Sequence, residues 1–91
     1  MNAYFEDKRI WITGASSGIG ESLAKRLSGL GAKVIISSHE PKELERTKSE
    51  AGETKHEIQI VSFDLSNATE VEKAADKVLT DIGGVDFLFN N

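Results

Sequence analysis

Thr13-Gly14-Ala15-Ser16-Ser17-Gly18-Ile19-Gly20 follows the apolar run Ile10-Trp11-Ile12 and opens the apolar-periodic segment Ile19 to Leu30. The rest of the chain is read outward from it. Glycine lets a chain turn sharply and lets backbone N–H groups approach a ligand with no Cβ in the way. Gly14 and Gly18 stand where those needs arise. A helix that starts near Ser17 or Gly18 leaves its first N–H groups unpaired and its positive dipole end facing outward, which suits a phosphate or pyrophosphate. Gly20, one turn inside that helix, has no cap or turn to justify it, and an interior glycine costs about 1 kcal/mol against alanine. Close packing of helix on strand is the reason to keep it. The plainer alternative for the whole stretch is a tight strand-to-helix turn with no ligand.

The spacing is G-x-x-x-G-x-G. It differs from the G-x-G-x-x-G fingerprint of many dinucleotide folds, and it lacks the Gly-Lys-Ser/Thr ending of a Walker loop, which excludes that class. The glycines alone are a weak signal, so the surrounding pattern carries the reading.

Arg9 to Thr13 is β-branched and aromatic and apolar at three consecutive positions, as expected of a central strand buried on both faces. Apolar residues at 19, 23, 27 and 30, with Ala24 beside them, predict one face of a helix that Gly31 stops. Lys33 to Ser37 is a second strand, and a strand-helix-strand unit of this length favours a parallel pair joined by a right-handed crossover. Pro41 begins a second helix through about Glu50, apolar only at Leu44 and then Ala51, so its charged face is expected to lie mostly in solvent. Glu57 to Phe63 reads as a third strand with Asp64 at its carboxyl end. Ser66 or Asn67 caps a third helix with Val71, Ala74, Ala75, Val78 and Ile82 at helical spacing, which Gly83-Gly84 stops. Val85 to Phe89 is the fourth strand, followed by Asn90-Asn91.

Strand and helix alternate throughout, which marks an α/β open parallel sheet with helices on both faces. Ligands of such sheets bind outside the carboxyl ends of the strands, where strand order reverses. The glycine turn, Ser38-His39, Asp64 and Asn90 all fall at those ends, so four separate segments are expected to meet at one crevice.

Composition bounds the possibilities. Ninety-one residues make one domain at most. The net charge of −4, from 15 acidic and 11 basic residues scattered along the chain, offers no basic stripe for nucleic acid and no polybasic membrane patch. Without cysteine there are no disulfides, thiolate nucleophiles or Cys-type metal sites, and no metal-ligand cluster is seen. The lead-in Met1 to Lys8 lacks the pattern of a signal peptide, and no apolar run reaches membrane-spanning length, so the expectation is a soluble, cytoplasmic protein. Tyr4 and Phe5 are expected to pack on the domain edge, and His56 to be exposed with no constellation around it.

Thr13-Gly14-x-x-x-Gly18-x-Gly20, the Asp64-Leu65 pair after the third strand and Asn90-Asn91 after the fourth resemble, in order and interval, the N-terminal half of a short-chain dehydrogenase/reductase. The resemblance covers residues 8 to 91. It implies the first part of a single Rossmann domain, a doubly wound parallel sheet built β-α-β-α-β-α-β with strand order 3-2-1-4. It implies that Thr13, Gly14, Ser16, Ser17, Gly18, Ile19 and Gly20 hold the pyrophosphate and neighbouring ribose of a dinucleotide. Asp64 would contact the adenine amino group, and Leu65 would border the ring. Asn90 and Asn91 would begin an Asn-Asn-Ala-Gly motif that steadies the sheet and lines the adenosine side. A homo-oligomer is implied as well, since the family is commonly dimeric or tetrameric.

The form of the cofactor is argued from the end of the second strand. A carboxylate there accepts from a ribose 2′-hydroxyl and repels a 2′-phosphate, while a cation favours the phosphate. By the resemblance, the acidic position falls at Ser38 and the NADP-type arginine position at His39. With no carboxylate at that spot, NADP(H) is favoured over NAD(H), with Ser38 donating a hydrogen bond and His39 or Lys42 supplying charge. Against this stand Glu40, and Ser17 where some NADP-dependent members carry a basic residue. A polar loop histidine without a ligand is the alternative for His39.

The resemblance also implies hydride transfer on an alcohol or carbonyl substrate, assisted by a serine, a tyrosine and a lysine that follow the Asn-Asn-Ala-Gly segment. None of these lies in the 91 residues, so no catalytic residue is assigned. Tyr4-x-x-x-Lys8 matches the letters of the tyrosine-lysine pair but precedes the glycine turn, far from the strand carboxyl ends, and is rejected. The start at Met1 and the stop within the Asn-Asn motif favour a truncated oxidoreductase. The alternative is a non-catalytic nucleotide-binding or self-associating module whose fourth strand leaves an apolar edge open to pairing. A methyltransferase is a weaker third reading, because the expected acidic residue after the second strand is missing.

Overall fold

Three apolar runs and one shorter ladder segment form a single parallel sheet in the computed structural model, which describes residues 3–91. Met1 and Asn2 of the lead-in lie outside the described residues. In chain order the elements are β1 (Arg9–Thr13), α1 (Gly18–Gly29), β2 (Lys33–Ser37), α2 (Pro41–Ala51), β3 (Gln59–Ile60), α3 (Ala68–Lys77) and β4 (Phe87–Asn90). A 3₁₀ turn at Ala3–Phe5 precedes β1, and a π turn at Val78–Ile82 extends α3. The sheet order is β3-β2-β1-β4 with every pairing parallel. Thr13 stands opposite Ser37 on one side and Asn90 on the other, so the carboxyl ends of the three strands finish level.

The helices cover both faces, as the alternation of elements requires. Ala24 and Leu27 of α1 and Leu44 of α2 pack with Ile10, Ile12, Val34, Ile36 and Ile58 on one face. On the other, Ala74 of α3 and Val78 meet Ile35, Val61 and Phe63, with Trp11 against them. Each fully buried aliphatic side chain contributes about 1.5–3 kcal/mol, so this two-sided burial of β1 and β2 is the main support of the sheet.

Several boundaries depart from the sequence reading. Ile19 is 77 % exposed rather than on the buried face of α1. The buried row runs Gly20, Ala24, Leu27 and Ser28. With no side chain at Gly20 the helix settles against the end of β1 on that side, which turns Ile19, about 100° away, out to solvent. β3 keeps ladder pairing over two residues only, although Val61 N donates to Ile36 O and Phe63 N to Ser38 O at 3.0 Å each, so the chain stays beside β2 to its end. β4 starts two residues late because Asp86 first clamps Arg9: the Asp86 N–H donates to Arg9 O at 2.7 Å and Asp86 Oδ2 accepts from Arg9 N at 2.8 Å. α2 does not leave its charged face wholly in solvent. Thr47 is fully buried, and Arg46 folds back onto α1 through Glu21 at 3.0 Å.

Phe5 packs on the first core cluster and meets Phe87, while Tyr4 is 60 % exposed. Lys8 lies over the Tyr4 ring, at the amino ends of the strands, so the Tyr4-Lys8 pair sits across the sheet from the glycine turn. His56 is half-buried rather than free: Nε2 lies 2.7 Å from Asp7 Oδ1, and Lys55 bonds Glu6 alongside. Among the described residues no helix is long and apolar enough to cross a membrane.

Candidate functional site

Thr13 hands β1 to the glycine turn and ties it to β4. Its hydroxyl donates to Asn90 Oδ1 at 2.8 Å and accepts from Asn91 N at 3.2 Å. Asn91 Nδ2 then donates to Gly14 O at 3.2 Å. Gly14 takes φ 65°, a left-handed conformation that glycine adopts without strain, and a Cβ there would lie 2.9 Å from Asn91 O. Gly18 also takes a left-handed φ, 59°, but opens onto empty space. Gly20 packs so closely on Gly14 that a Cβ would overlap the Gly14 carbonyl; the close approach its interior position implied is made to the turn just past the end of β1 rather than to the strand.

Beyond Gly14 the turn is held from the side of the second strand and helix. Ala15 N donates to Ser37 O at 3.2 Å, Thr47 Oγ1 donates to Ala15 O at 3.4 Å, and Arg46 Nη2 donates to Ser16 O at 3.0 Å. The amides of Ser16 and Ser17 have no backbone partner among the described residues. Ser17 occupies the N-cap position of α1 without a side-chain cap bond, so the helix end keeps its orphan N–H groups and its positive dipole end.

After β2 the chain makes a tight turn in which Glu40 N donates to Ser38 Oγ at 3.0 Å. The Glu40 carboxylate reaches across the cleft and accepts from Ser16 Oγ at 3.0 Å. His39 is exposed at the rim. After β3, Asp64 Oδ1 accepts from Ser66 N at 2.9 Å and from Ser66 Oγ at 2.8 Å. These two bonds, with His39 adding a favourable field, hold the Asp64 carboxyl below the usual carboxylate range. Asn67 caps α3 by accepting from Glu70 N at 3.1 Å, and the Glu70 carboxylate accepts from Asp64 N at 3.0 Å, so the loop carrying Asp64 and Leu65 is anchored at both ends.

These segments enclose one cleft of about 350 Å³ at the carboxyl ends of the strands. Thr13, Gly14, Ser16, Ser17, Ser38, His39, Asp64, Leu65 and Asn91 line it, together with Ser37, Glu40 and Phe63. Gly18, Ile19, Gly20 and Asn90 do not. Gly18 and Ile19 stand at the exposed start of α1, Gly20 is packed beneath the turn, and Asn90 is spent on Thr13. The cleft suits a phosphate-bearing ligand: left-handed glycine, unpartnered amides and a helix N-terminus line one wall, and the apolar Phe63 and Leu65 with Asp64 line the other.

Sequence reasoning missed three of the groups that shape this wall. Arg46 and Thr47 lie on a helix read as solvent-facing, and Glu40 was weighed only as a charge. The i, i+3 spacing of Leu44 and Thr47 carried a signal that Thr47 shares the buried face; nothing in the sequence signals that Arg46 reaches Ser16. Arg46 is also the centre of an ion network in which Glu21 accepts from Arg46 and from Lys25, which lowers the Glu21 carboxyl from 4.5 to about 2.

Comparison with known proteins agrees with the fold. The chain is 43 % identical over 89 residues to dehydrogenase/reductase SDR family member 7 of Mus musculus, an alignment covering 93 % of this chain and 26 % of that protein. The chain thus spans about a quarter of the length of this curated relative. L-sorbose reductase from Gluconobacter frateurii, complexed with NADPH and L-sorbose, superposes with a TM-score of 0.88 at 27 % identity, over 100 % of this chain and 35 % of that one. The 3-ketoacyl-(acyl-carrier-protein) reductase from Brucella melitensis, complexed with NADH, superposes with a TM-score of 0.80 at 38 % identity, over 92 % and 33 %. The family model for short chain dehydrogenase matches residues 8–91, and the chain belongs to that family.

Proposed function

We propose that residues 8–91 form the cofactor-holding part of an NAD(P)-dependent oxidoreductase that moves hydride between the nicotinamide and an alcohol or carbonyl substrate. The observation that carries this reading is the glycine turn: left-handed Gly14, Ser16 and Ser17 with amides lacking backbone partners, and Ser17 as an N-cap without a side-chain cap bond, all in residues that line one cleft. A bound dinucleotide supplies the hydride chemistry. This chain's own residues bind and orient: Thr13 to Gly20 around the pyrophosphate and its ribose, Asp64 and Leu65 at the adenine, Asn91 at the adenosine side. Gly20 and Asn90 act from beneath, by packing and through Thr13. None of this chain's residues is assigned a catalytic role in the reading.

NADP(H) is the favoured form. Ser38 and His39 supply no carboxylate at the end of β2, and His39 stands at the cleft rim. The Glu40 carboxylate lines the same cleft but is engaged by Ser16. Relatives of this fold have been solved with either form, NADPH in L-sorbose reductase and NADH in the ketoacyl reductase, so the preference rests on these local groups. Titrating the full-length protein with NADPH and NADH by fluorescence tests it. Tighter NADPH binding is expected. Equal affinities would remove the role given to Ser38 and His39, and no binding of either would remove the reading itself. A cytoplasmic, homo-oligomeric enzyme completes the proposal.

A further inference from the structure

The glycine turn is gripped from behind by two neighbouring residues of α2. Thr47 Oγ1 donates to Ala15 O at 3.4 Å, and Arg46 Nη2 donates to the next carbonyl, Ser16 O, at 3.0 Å. None of the peptide bonds in the described chain is cis. In a planar trans peptide the carbonyl of one residue and the N–H of the next point in opposite directions. Drawing the Ala15 and Ser16 carbonyls toward α2 therefore turns the Ser16 and Ser17 N–H groups away from α2. Those are the two amides that lack backbone partners and belong to residues lining the cleft.

Arg46 is itself held in place. Nε bonds Glu43 at 2.8 Å, Nη1 bonds Glu21 and Glu50 at 3.0 Å each, and Nη2 is shared between Ser16 O and Glu21 Oε1, the latter at 3.1 Å. A planar guanidinium can satisfy this many acceptors in fixed directions, whereas a lysine ammonium offers a single point of charge. Glu21 belongs to the first turn of α1, so one side chain joins α2 to both the turn and the helix that follows it.

We propose that Arg46, assisted by Thr47, is a positioning residue for nucleotide binding: it orients the Ser16 and Ser17 amides toward the phosphate groups without touching the ligand. This rests on the reading of the cleft as a dinucleotide site. It extends the binding machinery to a helix that lies outside the cleft.

The test compares wild-type full-length protein with Arg46→Lys and Thr47→Val. The first keeps the charge and removes the fork; the second keeps the volume and removes the hydroxyl. NADPH affinity is measured by fluorescence titration, and the thermal midpoint is measured without ligand. Arg46→Lys is expected to weaken NADPH binding about five- to tenfold and Thr47→Val about two- to fivefold, against the scale of one hydrogen bond. The ligand-free midpoint of Arg46→Lys should stay close to wild type, because its ion pairs are surface pairs of small net worth. Guanidinium at millimolar concentration should restore part of the affinity of Arg46→Ala. Unchanged NADPH affinity in both conservative variants overturns the proposal, as does an affinity loss that merely follows the midpoint. Wild-type protein that binds no nucleotide overturns the functional reading instead, so the two failures are distinguishable.

Discussion

Gly20→Ala places a methyl group where α1 crosses the start of the glycine turn. The added Cβ would overlap the Gly14 carbonyl oxygen and lie 2.9 Å from Asn91 Nδ2 and 3.0 Å from the Gly14 carbonyl carbon. Both of the closest partners are constrained: one is backbone, and the other is the amide that donates to Gly14 O. Relief requires helix and turn to separate by about 1 Å, an overpacking cost of about 1–3 kcal/mol. It also strains or breaks the Asn91–Gly14 hydrogen bond, about 1 kcal/mol more. Alanine returns about 1 kcal/mol of helix propensity. The net expectation is a destabilisation of about 2 kcal/mol, read as a lower urea midpoint at unchanged slope. Gly29→Ala is the internal control, because the same helix meets nothing within 4 Å at that position. There the propensity gain stands alone, and a stabilisation of about 0.5 kcal/mol is expected. If Gly20→Ala proves as stable as Gly29→Ala, the close approach of α1 to the turn is not what keeps Gly20, and the reasoning fails.

Glu21 has a carboxyl depressed from 4.5 to about 2 by Arg46 and Lys25. Its stabilising contribution is therefore complete above about pH 4.5 and is lost as the pH falls toward 2. Urea midpoints measured across that window should fall less steeply in Glu21→Gln than in wild type, and parallel curves would remove the contribution. β4 leaves Leu88 57 % and Phe89 37 % exposed at the edge of the sheet. Residues 1–91 expressed alone are expected to sediment as dimers or larger species through that edge, and a clean monomer would count against edge pairing.

The alternation of apolar runs and helical periodicity was enough to place β1, β2 and α1 in a parallel sheet, because those features depend on local pattern and on a strong handedness rule; the order 3-2-1-4 came only with the family resemblance carried by the three motifs. The glycine spacing likewise announced a sharp turn with a close backbone approach, since positive φ at Gly14 and the contact of Gly20 with Gly14 O are demands that only glycine meets easily. Asp64 was legible as a cleft-lining residue from its place at the end of a strand, whereas Asn90, read the same way, bonds Thr13 and leaves the cleft wall to Asn91. Three things were settled only in three dimensions. Ile19 faces solvent because the bare Gly20 lets α1 settle on that side, a rotation that a helical wheel cannot foresee. β3 narrowed to Gln59–Ile60 because ladder pairing depends on its neighbour and not on its own apolar content. The contacts of Arg46, Thr47 and Glu40 with the turn span 24 to 32 residues of sequence. The sequence by itself determined that this chain sets a glycine turn at the carboxyl edge of a parallel sheet. Only the tertiary structure decided which way the peptides of that turn face, because the Ala15 and Ser16 carbonyls accept from Thr47 and Arg46 of a helix whose charged positions read as a mostly solvated face.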